Sequence, residues 1–145
     1  MEKISFKWGL RAFLGLSVYF LIMKFVGLIH MPELRILNAG ILFTCVFLAI
    51  KESKQKLEDF NYFRGIASGV ATAFIASTIF AAFGFGYLTF INPDFIESIR
   101  DNELFGIYMN KYGASFQIFI EGSASGCLMS YSAMQYLKER HISRA

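Results

Sequence analysis

Apolar residues along this chain gather into four runs, separated by short charged or polar connections. Trp8 to Ile29 is the first, interrupted by Arg11 and Lys24; Leu34 to Ile50 is the second. Gly65 to Ile91 is the third, and Phe116 to Leu137 the fourth. An α-helix rises about 1.5 Å per residue and a bilayer's hydrocarbon is about 30 Å thick. Each run is therefore predicted to cross a membrane as a helix, the second only just and the third with length to spare. Four such runs in 145 residues leave too little polar surface to wrap a soluble fold. The expected fold class is all-α: a polytopic membrane protein, one four-helix transmembrane bundle over residues 1–145.

The basic residues orient the runs. Lys3, Lys7 and Arg11 precede or open the first; Lys51, Lys54, Lys56 and Arg64 lie between the second and third; Lys138, Arg140 and Arg144 follow the fourth. The two remaining connections hold only Arg35, Arg100 and Lys111. By the positive-inside rule both termini and the middle connection are expected in the cytoplasm. Trp8, Tyr62 and Tyr136 would then mark the inner interface, and Tyr87, Tyr108 and Tyr112 the outer one. The first run could alternatively be a signal peptide, but Lys24 breaks it and no small-residue cleavage site follows before His30.

The connections carry their own patterns. In Lys51 to Arg64, Glu52 and Lys56 stand four apart, in the favourable order for an ion pair on a continuing helix. In Asn92 to Ser115, Asn92 reads as a helix cap with Pro93 at the first helical position. Phe95, Ile96 and Ile99 share a face opposite Glu97 and Asp101, so an interfacial amphipathic helix is expected in this second outer loop. Its acids, and His30 with Glu33 in the first outer loop, lack the spacing of a metal ligand set.

Composition agrees with the patterning: 55% of residues are hydrophobic and 17% charged, against roughly 25% charged in soluble domains. Mean hydropathy is +0.47. A net charge of +3 with no dense Lys/Arg stripe gives no reason to expect nucleic acid. Cys45 and Cys127 both fall within apolar runs and suggest no disulfide framework. No cofactor is expected.

Small residues recur every four positions in the third run: Gly65, Gly69, Ala73, Ser77 and Ala81. The fourth has Gly122, Gly126 and Ser130 at the same interval. This spacing lets helix backbones approach closely in lipid. It predicts packing of the third helix on the fourth, or alternatively an interface with a partner. Gly84-Phe85-Gly86 offers the third helix a place to bend.

Two ionisable residues interrupt apolar runs, and such groups are functional-site candidates. Lys24 lies six residues before His30 and Glu121 six after Ser115, so both sit about 9 Å below the same boundary. They are expected to face each other as an ion pair; Lys24 could instead snorkel to the headgroups. Glu121 also heads a polar stripe. At about 100° per residue, Gln117, Ser125, Ser132 and Gln135 lie within about 40° of it. Leu128 breaks the stripe near its middle. Ser17 shares the Lys24 face of the first helix.

Three stretches resemble domain-of-unknown-function family 4199, small bacterial four-helix membrane proteins. Phe6-Lys7-Trp8-Gly9-Leu10 is similar to that family's basic-aromatic-glycine start of the first helix. Phe63-Arg64-Gly65 resembles its loop-to-helix junction, and Asn92-Pro93-Asp94-Phe95 the start of its long outer loop. The resemblance implies a bacterial inner-membrane protein and brings no activity or binding residues with it.

Two functional readings follow. The first is a small non-enzymatic protein, an accessory or scaffolding subunit of a larger membrane complex. Its expected partners are the lipid bilayer and other membrane subunits or further copies of itself. The alternative is a proton- or ion-coupled transporter using Glu121 and Lys24. An enzyme is not expected, because there is no H-E-x-x-H, no histidine cluster and no serine–lysine or paired-aspartate arrangement at matching depths.

Overall fold

The computed structural model describes residues 2–27, 33, 35–91, 94, 97, 100, 101 and 110–142, the side chains of 35 and 138–142 excepted. Four helices account for nearly all of them, and no strand occurs among them: α1 (Glu2–Val26), α2 (Arg35–Lys56), α3 (Tyr62–Gly86) and α4 (Lys111–Ile142). The first three are long and apolar enough to cross a membrane. α4 falls short of that apolarity, because Gln117, Glu121, Ser123, Ser125, Ser130, Ser132 and Gln135 are interspersed along it.

Local chemistry explains where the helices differ from the apolar runs. α1 stops at Gly27, not Ile29: Gly27 takes φ +80° and donates its N–H to the Lys24 carbonyl at 3.2 Å. That left-handed conformation is cheap only for glycine. α2 runs past the apolar boundary at Ile50 to Lys56. α3 starts three residues earlier than its run, because the Asn61 side chain accepts the Arg64 backbone N–H at 2.9 Å. α4 starts five residues earlier, capped in the same way by Asn110, which accepts from Gly113 N at 2.7 Å. Just after Gly86, α3 changes to π-helical winding over Tyr87–Ile91. The interfacial helix expected after Asn92 falls, apart from Asp94, Glu97, Arg100 and Asp101, outside the described residues, as does His30.

The helices form a bundle in which α3 packs against all the others, most extensively against α4. α2 also touches its three companions, whereas α1 and α4 occupy the far corners. The interior is made of small side chains: Ala12, Ala49, Ala73 and Ala76 are fully buried beside Val46 and Ile50. Large apolar side chains turn outward, Phe25 being 94% and Phe90 84% exposed. A water-soluble protein does not present such a surface, and a helix bundle in hydrocarbon does.

Candidate functional site

The start of α1, the end of α2, the start of α3 and the end of α4 meet at one end of the bundle, hereafter the basic end. Here Glu52, just beyond the apolar run of α2, is the hub. Its carboxylate accepts from Lys56 Nζ at 2.6 Å, Trp8 Nε1 at 2.6 Å and Lys7 Nζ at 3.1 Å. Lys56 is the expected neighbour four residues on; Lys7 and Trp8 bring α1 to the same point. These hydrogen bonds, Lys56 foremost, then Trp8, then Lys7, hold the Glu52 carboxyl down to about 2. The Arg11 guanidinium lies over the Trp8 ring, 4.6 Å from its centroid.

Beside this charged hub, toward the bundle axis, three helices are tied by buried hydroxyls. Ser5 Oγ of α1 donates to the Ser68 carbonyl at 3.2 Å, and the Ser53 and Ser68 hydroxyls are 2.7 Å apart. All three side chains are essentially inaccessible. Low dielectric strengthens such bonds and makes each one costly to leave unmade. Nothing in the linear pattern marks these serines, because they lie on three different helices.

The seam between α3 and α4 is antiparallel and built from small residues. A Cβ placed on Gly65 would run into Met134, one on Gly69 into Ser130, one on Gly122 into Ser77, and one on Gly126 into Ala73. Together these pairs step along the seam one turn at a time. The two stripes of small residues therefore face each other in register, and the backbones approach as closely as their side chains permit.

The opposite side of α4 carries the polar stripe. Glu121 and Ser132 are exposed, Gln117, Ser125 and Gln135 half-buried, and Leu128, in their midst, is 72% exposed. Glu121, Leu128 and Ser132 thus face away from the bundle, and the other three lie at the edge of that outer face. At its basic end Gln135 reaches another helix, its Nε2 donating to the Tyr62 hydroxyl at 3.0 Å. Lys24 is on α1, at the far corner from α4. Its Nζ lies 4.6 Å from the centroid of the Tyr87 ring, within an aromatic group formed with Phe20 and Phe83. An ammonium over a π face is attracted by the ring quadrupole. The π-helical turn begins at Tyr87, and so coincides with the residue on which Lys24 rests. Ser17, on the same helix, is buried.

Among the described residues no three His, Cys, Asp or Glu side chains converge as metal ligands would. Cys45 and Cys127 are both free thiols.

A family described as "Protein of unknown function (DUF4199)" matches residues 7–137, and the chain belongs to it. No curated protein and no solved structure matches the chain.

Proposed function

For a member of a family without an assigned activity the geometry is the guide, and we propose that this chain is a non-enzymatic membrane subunit. It docks through the outer face of α4 onto another membrane protein. The observation that carries this reading is the exposure of Glu121 and Ser132 on the outer face of α4, with Gln117 and Ser125 at its edge. A polar helix face turned outward in a membrane is one on which a partner helix can pack closely and add interhelical hydrogen bonds. On this reading α4 crosses the membrane too, its lower apolarity accommodated because the helix is one side of a contact. The basic residues favour both termini and the middle connection in the cytoplasm, in the inner membrane of a bacterium.

The transporter reading fits this geometry less well. Glu121 and Lys24 belong to helices at far corners, and among the described residues the stripe lines no interior path. A path along it would need two copies meeting through α4.

The test is the mass and composition of the native particle, extracted in mild detergent, for the wild type and for Glu121→Leu combined with Ser132→Leu. Defined foreign subunits that are lost in the double variant, with its fold intact, are the expected outcome. A pure homo-oligomer would favour transport, and flux in Glu121→Gln would then decide it. A monomer identical in both proteins would overturn both readings.

A further inference from the structure

At the basic end an open groove of about 570 Å³ lies between the α2–α3 connection and the last turns of α4. Phe60, Met134 and Tyr131 form its apolar wall and floor, and Lys54, Tyr62 and Gln135 its polar rim. The floor exists because Gly65 has no side chain: a Cβ there would run into Met134 and lie 2.8 Å from Phe60. The Gln135–Tyr62 hydrogen bond fixes the rim. Lys54 is half-buried, one turn beyond the last apolar residue of α2, and the described lining includes no carboxylate to neutralise it. The neighbouring Lys56, by contrast, is taken by Glu52.

From Leu137 to Tyr131 the groove follows α4 for about 9 Å, from the charged end of the bundle toward its apolar middle. A lysine in the described lining and an apolar floor running inward match a phosphate carrying a hydrocarbon chain. We propose that this groove binds one anionic phospholipid, its phosphate on Lys54 and the start of an acyl chain along Met134 and Tyr131. Free phosphate shares the headgroup chemistry but has nothing to place on the floor. The groove adjoins the stripe at Gln135, but neither Glu121 nor Ser132 lines it, so its failure would leave the docking proposal standing.

The experiment is native mass spectrometry of the full chain in detergent with phosphatidylglycerol, phosphatidylcholine or inorganic phosphate added. Phosphatidylglycerol is expected to be retained as a single adduct, with several-fold less phosphatidylcholine and no phosphate. Lys54→Gln should weaken phosphatidylglycerol about fivefold, the worth of one interfacial lysine. Lys51→Gln removes a charge from the same segment outside the groove and should change nothing. Equal loss in both variants would mean a diffuse basic surface and overturn the site. Inorganic phosphate retained as well as the lipid would overturn the lipid as its occupant. Tyr131→Ala alters an exposed wall residue and leaves the charge in place, so it stays informative if Lys54→Gln does not fold. It should shorten retention of phosphatidylglycerol, and unchanged retention would refute the acyl contact.

Discussion

α3 and α4 share one seam and differ in everything outside it. α3 packs on α4, α1 and α2, and its buried positions are glycine, alanine, serine and threonine, while Phe63 and Phe74 are exposed. α4 gives one face to that seam and turns a polar stripe outward. Both helices pack with the same small residues, so the seam itself does not distinguish them. The difference shows where this fold places its polar groups. Inside the bundle Ser5, Ser53 and Ser68 join three helices, whereas the outward Ser132 bonds its own helix, at the Leu128 carbonyl. On the outside of α4 the stripe is turned toward lipid or another molecule, which is why that face is read as a docking surface.

The comparison breaks most readily at the seam. Gly126→Leu puts side-chain atoms where Ala73 already stands and should cost about 3 kcal/mol, the upper end of overpacking. Denaturant unfolding in mixed micelles would measure this. A loss below about 1 kcal/mol would mean that the helices separate easily. Next comes the hydroxyl cluster. Ser68→Ala leaves the Ser53 hydroxyl without its side-chain partner deep in the bundle and should cost about 1–3 kcal/mol by the same assay.

Glu52 sharpens the picture by its pH dependence. Its carboxyl is held from 4.5 down to about 2 in the folded protein. Its contribution is therefore complete above 4.5 and is lost as pH falls toward 2. The melting temperature of the wild type should exceed that of Glu52→Gln at neutral pH, with the gap closing as acid is added. A gap that stays constant from neutral pH down through the folded-state value would assign the stabilisation to shape instead of charge.

Lys24 tests the far end of the bundle. A double-mutant cycle of Lys24→Met with Tyr87→Leu should give a coupling of about 0.5–1 kcal/mol. The cycle with Glu121→Gln should give none, since α1 and α4 do not pack side by side. Coupling to Glu121 would restore the ion pair that equal depths suggest. The smallest effect belongs to the outer face of α4. Leu128→Ala should shift the stability of the isolated chain by less than about 0.5 kcal/mol, because 72% of that side chain is exposed.

Much of the fold was legible from local chemistry. The runs place the helices because a 3.6-residue period and a bilayer's thickness act on every apolar stretch alike. The caps Asn61 and Asn110 are visible in the sequence, yet each precedes its apolar run by several residues, so hydrophobic patterning does not point to them. Glycine spacing predicted the close approach of the third and fourth helices, and the charge order Glu52–Lys56 predicted a pair. The junction of Lys7 and Trp8 with Glu52 was not legible, and neither was the layer of Ser5, Ser53 and Ser68. Each joins residues on different helices, whose mutual rotation no local pattern specifies.

By itself, the sequence determined which segments are helical, which end of the bundle is basic and which face of α4 is polar. Those properties depend on neighbours within one or two turns, or on the transfer of a segment from water to lipid. Only the tertiary structure decided that this polar face points outward, that Lys24 rests on Tyr87, and that Lys54 overlooks an apolar groove. Equal depth in a membrane fixes a residue's height but not its direction. Direction is set by how the helices rotate to bring their smallest residues together.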